Sequence, residues 1–188
     1  VHEVQVEVEG PQGDAHIVHL FATAAAGHGA GEVEPVDLVV IDGQRPQNHP
    51  QDAAEGADVV ITMVTDSPDV QAVVLGEGGV VHGLSSGTVL IDMSTISPEI
   101  TREIGATLGE HGVQMLDAPV SGGVLGAQNA ALSIMVGGPT DAFERVTPLF
   151  EAMGQRITYC GGPGMGQVTK LVNQVIVAGT MAAVSEGL

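Results

Sequence analysis

The sequence predicts an α/β fold built on a doubly wound, mainly parallel sheet. Three observations carry this. Short continuous apolar runs recur from residue 57 onward, as expected of strands buried on both faces. Between them lie segments that open on Ser-Pro or Thr-Asp and carry one apolar face, the mark of amphipathic helices. Glycine-rich turns follow strand ends, where open α/β sheets bind ligands.

The elements follow in chain order. Val59-Val60-Ile61-Thr62-Met63-Val64 is the first buried strand. Ser67-Pro68-Asp69 opens a helix, with Ser67 as cap, Pro68 in the first turn and Asp69 at the positive end of the dipole. That helix runs to Leu75 and stops at Gly76. Val89 to Met93 is the next strand. Ser97-Pro98-Glu99 then starts a helix with Ile100, Ile104 and Leu108 on one face, ended by Gly112. Val113 to Asp117 and Leu132 to Val136 are strands. Thr140-Asp141 opens a helix that buries Phe143, Val146, Leu149, Phe150 and Met153, and Arg156 to Cys160 is a closing strand. After the hinge Gly161-Gly162-Pro163-Gly164-Met165-Gly166, a long helix spans about Gln167 to Gly187. A helix so apolar needs a surface to pack on, and the chain ends inside its pattern, so the expectation is the first helix of a missing all-α domain.

The first 50 residues read differently. Val4, Val6 and Val8 alternate with Glu3, Gln5, Glu7 and Glu9, the pattern of a half-exposed strand. His2, His16, His19, His28 and His49 cluster here without a ligand spacing that suits a metal. Val36 to Asp42 reads as a strand ending in an acid. Such an acid can bond ribose hydroxyls in a dinucleotide-binding fold, or the strand can simply end in a turn at Asp42-Gly43. Only 15 residues separate Asp42 from Ala57, short for a helix and a strand.

Composition narrows the function classes. The chain is 44% hydrophobic and 15% charged, enough apolar material for a core and too much for wholesale disorder. Aromatic residues are 2%, so that core is aliphatic. A formal net charge of −18 repels nucleic acid and anionic membranes, and neither is an expected partner. No apolar run approaches the roughly 20 residues that a spanning helix needs. The start lacks the basic-then-apolar pattern of a secretion signal, which points to a cytoplasmic protein. The single cysteine, Cys160, excludes an internal disulfide and any multi-cysteine zinc site, and no metal is expected.

Two motifs carry chemistry. Asp117-Ala118-Pro119-Val120-Ser121-Gly122-Gly123 follows a strand. Ser121 offers a hydroxyl, and the two glycines let backbone N–H groups approach an anion such as a small carboxylate. The same string also reads as an ordinary Gly-Gly turn. Gly164-Met165-Gly166-Gln167-Val168-Thr169-Lys170-Leu171-Val172-Asn173-Gln174 opens a helix with glycines and sets Lys170 and Asn173 on one face. Lys170 is the only lysine among the 188 residues. On so apolar a helix it is either partly buried with a lowered pKa, and so a proton donor poised near neutrality, or a solvated lysine reaching for water.

Taken together, Asp117–Gly123 and Gly164–Asn173 resemble the substrate-binding and catalytic signatures of the β-hydroxyacid dehydrogenase family. Ile91-Asp92-Met93-Ser94-Thr95-Ile96-Ser97-Pro98 is similar to its cofactor-side strand end, and Asp58 to Gly76 to the strand and helix before it. The resemblance covers about residues 53 to 188. Within the family, Lys170-Leu171-Val172-Asn173-Gln174-Val175-Ile176-Val177, Ser185-Glu186-Gly187-Leu188 and Asp66 to Val70 are most similar to the tartronate semialdehyde (2-hydroxy-3-oxopropionate) reductases, which reduce their substrate to glycerate. The 3-hydroxyisobutyrate dehydrogenases more often carry Asn-Asn in place of Asn173-Gln174.

The resemblance implies a Rossmann-like fold and an oxidoreductase using NAD or NADP. It implies Lys170 as catalytic acid/base, with Ser121, Gly122, Gly123 and Asn173 on the substrate. Val64, Thr65 and Thr95 line the nicotinamide side, although the family often has a proline where Thr65 stands. The partner is a small hydroxyacid or semialdehyde, and homo-oligomers are expected only of the intact protein. The expected organisation is an atypical segment over residues 1–52, a dinucleotide-binding domain over 53–163 and an interdomain helix over 164–188.

One family feature is missing. The expected Gly-x-Gly-x-x-Gly loop does not occur near the start. Gly27-His28-Gly29-Ala30-Gly31-Glu32 is the nearest string, but its third glycine falls one place early and Glu32 opposes a phosphate, so it is rejected. A wrong reading frame over about the first 50 residues accounts for this, and translating the other frames tests it. Without a proper first strand, the strand at Val59 to Val64 is expected to lose a neighbour. The opposing functional reading is a non-catalytic fragment that keeps the Lys170 and Ser121 motifs but cannot hold cofactor.

Overall fold

The computed structural model describes the backbone of residues 17–23 and 37–41 and the whole of residues 49–188. The expected strand at Val4 to Val8, the Gly27–Glu32 string and Asp42 lie outside the described residues.

Among the described residues, eight strands form one sheet. Its centre is four parallel strands, β1 (Ile17–Thr23), β3 (Val59–Met63), β4 (Val89–Asp92) and β5 (Gln114–Asp117), side by side in that order. At one edge β2 (Asp37–Ile41) pairs antiparallel with β1. At the other, β7 (Leu132–Gly137) meets β5 antiparallel at Asp117 and Gly137, with the short β6 (Val120–Ser121) antiparallel and β8 (Gly154–Gly161) parallel on it. The expectation that β3 lacks a neighbour is thus corrected. Ile17 to Phe21 run parallel to Val59 to Met63, residue for residue, in the place of a first strand. Val4 to Val8 are too far up the chain to be that strand.

Strand periodicity sorts the core into two layers. Side chains alternate across a strand, so Val60 and Leu90 point to one face and Val59, Ile61, Val89 and Ile91 to the other. The first face is covered by α1 (Pro50–Ala54), α2 (Ser67–Leu75) and α3 (Pro98–Glu110), through Val70, Val74, Ile104 and Leu108. The second is covered by α5 (Thr140–Met153), through Ala142, Val146 and Phe150, with Phe143, Leu149 and Met153 partly buried at its rim. Helices on both faces make the sheet doubly wound.

Local chemistry explains the helix ends. In α3, Ser97 is extended and its hydroxyl accepts the Glu99 N–H, while Pro98 fills the first position, where no N–H is needed. In α2 the cap is Asp66 rather than Ser67: the Asp66 carboxylate accepts the Ser67 N–H at 2.7 Å, and Ser67 is already helical. An ionised oxygen is the stronger acceptor for that dipole end. A short helix α4 (Gly123–Gln128), which no pattern announced, follows β6 and buries none of its residues.

The last element, α6 (Met165–Gly187), packs its first two turns on the sheet and exposes most of the rest, including Val175, Ile176 and Met181. At 23 residues it is long and apolar enough to cross a membrane. The expectation that no apolar stretch reaches that length is therefore corrected, because apolar residues outweigh Lys170, Asn173 and Gln174 when averaged along the helix.

Candidate functional site

The parallel register places Thr62, Asp92 and Asp117 abreast, so the loops after β3, β4 and β5 leave the sheet on one edge. Every candidate residue lies in the stretches that follow these strand ends or in the first turns of α6.

The stretch after β5 contributes Val120 to Gly123, from β6 to the start of α4. Ser121 is half-buried, held in register with Ser133 of β7. Gly122 and Gly123 are exposed with φ of 138° and 60°, a succession of positive values that residues with a Cβ resist, and they free the turn for a close approach by an anion.

Helix α6 brings Lys170 to this loop. The Lys170 Nζ donates to the carbonyl of Val120 at 2.7 Å, and the side chain is only 8% exposed. Of the two expectations for this lysine, the structure bears out the buried one. Removal from water, with no carboxylate among the causes, holds its pKa below the usual 10.5. The two motifs therefore converge. Asn173, one turn on, is half-buried, and its Nδ2 donates to Gln174 Oε1 at 3.3 Å rather than to the sheet.

Val64 and Thr65 follow β3, and Thr95 follows β4. Val64 is buried, its N–H donating to Ser94 Oγ at 2.9 Å, whereas Thr65 and Thr95 are exposed. Residues 24–36, which follow β1, lie outside those described. Among the described residues no group of three or more His, Cys, Asp or Glu could hold a metal ion.

Four residues assigned no role from sequence organise the edge. Asp117 is 1% exposed. Its Oδ1 accepts the Gly164 N–H at 2.8 Å and its Oδ2 the Gln167 N–H at 2.9 Å, which seats the start of α6 on β5. Gly166 is required there, since a Cβ would sit 2.6 Å from the Asp117 carbonyl oxygen and 2.9 Å from Oδ2. Burial raises the Asp117 pKa, against the pull of the Gln167, Gly164 and Gly166 amides. Gln167 is fully buried and bonds the backbone on both sides of Thr95.

Asp92 is also fully buried. Its Oδ1 accepts from Thr62 Oγ1 at 3.0 Å and from Ser94 Oγ at 2.6 Å, while Oδ2 has no partner among the described residues. Burial pushes its pKa up to about 6, with Ser94 and Thr62 opposing and the charge of Asp117 adding to the rise. The available signal was that Val89-Leu90-Ile91 and Met115-Leu116 both end in an aspartate.

Comparison with known proteins gives this geometry its context. The chain is 48% identical over 134 residues to 2-hydroxy-3-oxopropionate reductase of Escherichia coli, covering 71% of this chain and 46% of that protein. It is 42% identical over 153 residues to NAD-dependent L-serine dehydrogenase of Pseudomonas aeruginosa, covering 81% and 51%. Among solved structures it is similar to Mycobacterium tuberculosis 3-hydroxyisobutyrate dehydrogenase with L-serine, at a TM-score of 0.68 and 40% identity, covering 73% of this chain and 46% of that one. The chain spans about half the length of the curated relatives it matches. Residues 31–162 match a family described as the NAD binding domain of 6-phosphogluconate dehydrogenase. The Rossmann-like fold and the nicotinamide dinucleotide expected from sequence are those of this family. The chain belongs to the family of NAD-binding domains of the 6-phosphogluconate dehydrogenase type.

Proposed function

We propose that the protein containing this chain is an NAD(P)-dependent 3-hydroxyacid dehydrogenase or reductase, and that it reduces 2-hydroxy-3-oxopropionate to glycerate with Lys170 as general acid/base. One observation carries the reading: a desolvated amine stands 2.7 Å from the Val120 carbonyl, next to the Ser121-Gly122-Gly123 turn. An amine with a lowered pKa exchanges its proton more readily near neutral pH than an ordinary lysine.

A nicotinamide dinucleotide, when bound, would supply or accept a hydride at C4 of its nicotinamide. Lys170 gives a proton to the carbonyl oxygen in reduction and takes the alcohol proton in oxidation. Ser121 and the N–H groups of Gly122 and Gly123 hold the substrate carboxylate, and Asn173 orients substrate and lysine. Val64, Thr65 and Thr95 line the nicotinamide side. In this assignment residues 53–163 serve as the dinucleotide-binding domain and 164–188 as the interdomain helix, within a cytoplasmic protein.

The 48% identity to the Escherichia coli reductase supports the substrate choice. The 42% identities to L-serine dehydrogenase and to 3-hydroxyisobutyrate dehydrogenase of Pseudomonas aeruginosa mark the alternatives. A second reading, a non-catalytic fragment, has one observation in its favour: the outer turns of α6 lie open, with Val175 72% and Met181 66% exposed.

Titrating the chain with NADH and NADPH, read by nicotinamide fluorescence, separates the two. Saturable binding is expected, and its absence selects the fragment. Assays of the full protein on 2-hydroxy-3-oxopropionate, 3-hydroxyisobutyrate and L-serine then test the substrate. A higher kcat/KM for either of the last two overturns the first choice.

A further inference from the structure

Gln167 lies in the first turn of α6, three residues before Lys170, with no solvent exposure. Its side-chain carbonyl accepts the Ile96 N–H at 3.1 Å, and its amide nitrogen donates to the Ser94 carbonyl at 2.8 Å. These two bonds bracket Thr95. The backbone N–H of the same residue donates to Asp117 at 2.9 Å. One buried residue thus ties the end of β4, the end of β5 and the helix turn leading to Lys170.

An amide in an apolar interior is costly unless its polar atoms are bonded. A leucine would fill the space but would leave the Ser94 carbonyl and the Ile96 N–H without these partners. The Gln167 amide presents one acceptor and one donor together, matched to an N–H and a C=O two residues apart. Asp117 fixes α6 against β5 alone. Against the loop after β4, where Thr95 stands, the side-chain bonds are those of Gln167.

We propose that Gln167 is a positioning residue, which locks the Ser94–Ile96 loop to the turn of α6 carrying Lys170 and so sets where the amine stands relative to the ring seat at Thr95. This rests on the reading of Lys170 as acid/base and of Thr95 as nicotinamide-facing.

Two variants test it. Gln167→Leu removes both side-chain bonds. Gln167→Glu keeps the acceptor, and when protonated it regains a donor toward Ser94, so its defect is reversed at low pH. Burial of this position favours the neutral acid over the charged carboxylate. Because Lys170 is the only lysine, lysine labelled with carbon-13 at Cε gives one signal that reports its titration alone.

In Gln167→Leu, the Lys170 midpoint should move toward the ordinary lysine value, and Ile96 amide exchange should accelerate by about tenfold or more. The kcat of the full enzyme should fall by about tenfold, with KM for the hydroxyacid within about threefold. In Gln167→Glu, Ile96 exchange and turnover, each relative to the unaltered protein at the same pH, should return toward normal as pH falls.

A folded Gln167→Leu with unchanged Lys170 midpoint and kcat overturns the proposal. So does a Gln167→Glu defect that is independent of pH, which serves if the leucine variant does not fold. Should the unaltered protein turn over no hydroxyacid, the functional reading fails by itself, and the Lys170 midpoint and Ile96 exchange still decide the positioning role.

Discussion

Lys170 and Val120 are 50 residues apart in sequence and meet at 2.7 Å, amine to carbonyl. That contact brings the glycine-led helix and the serine-diglycine loop to one edge of the sheet.

Lys170→Ala in the full protein should lower kcat by about 100-fold or more, the scale of a lost general acid/base, and leave cofactor affinity nearly unchanged. Steady-state kinetics beside a fluorescence titration separate the two. Near-normal turnover sinks the assigned role.

The same lysine has a stability signature. Its folded pKa lies below 10.5, so between the folded value and 10.5 the unfolded chain binds more protons. Stability should therefore rise with pH across that window, and Lys170→Met should abolish the rise. Urea unfolding at a series of pH values measures it.

Asp92 gives the opposite slope. With its pKa raised from 3.8 to about 6, the folded chain binds more protons than the unfolded one between those values. Stability should fall as pH climbs through that interval, by on the order of 3 kcal/mol in all. Asp92→Asn should flatten the profile there, and an unchanged profile would show that folding does not raise the Asp92 pKa.

Gly166 and Gly179 share one helix and should respond in opposite directions to alanine. A Cβ on Gly166 meets the Asp117 carbonyl oxygen at 2.6 Å, whereas one on Gly179 meets nothing within 4 Å. Gly166→Ala should destabilise by about 2 kcal/mol or more through overpacking, and Gly179→Ala should stabilise by roughly 0.5–1 kcal/mol through helix propensity. Thermal unfolding of both variants is the check.

Gly122→Ala forces a side chain into φ 138° with its Cβ 3.2 Å from Leu132 Cδ2. A strain of about 1–3 kcal/mol should appear as a higher KM for the hydroxyacid, with cofactor affinity unaffected. Equal losses in both affinities would show that the loop does not act on substrate alone.

Most of the fold from residue 57 to 161 could be read from the chain, because its strands are continuous apolar runs and its helices begin on Ser-Pro or Thr-Asp. Helix α4 escaped because Gly123 to Gln128 buries nothing, and Val124 and Leu125 are 60% and 73% exposed, so no periodic face marks it. Strand β1 escaped because its apolar run carries His19 and is preceded by His16. At the site, the Lys170 and Ser121 motifs were visible as local strings. Gln167 was not, since its partners Ser94 and Ile96 are 73 and 71 residues away, and no local pattern encodes a bond of that span.

The inward-turned amine has a practical side. Acylating dyes and cross-linkers that target lysine find one lysine side chain in the whole chain, 8% exposed and engaged with a carbonyl. Its modification should therefore be slower than that of an exposed lysine and should speed up on unfolding, so that Lys170 reports the seating of α6 by mass spectrometry without any added label.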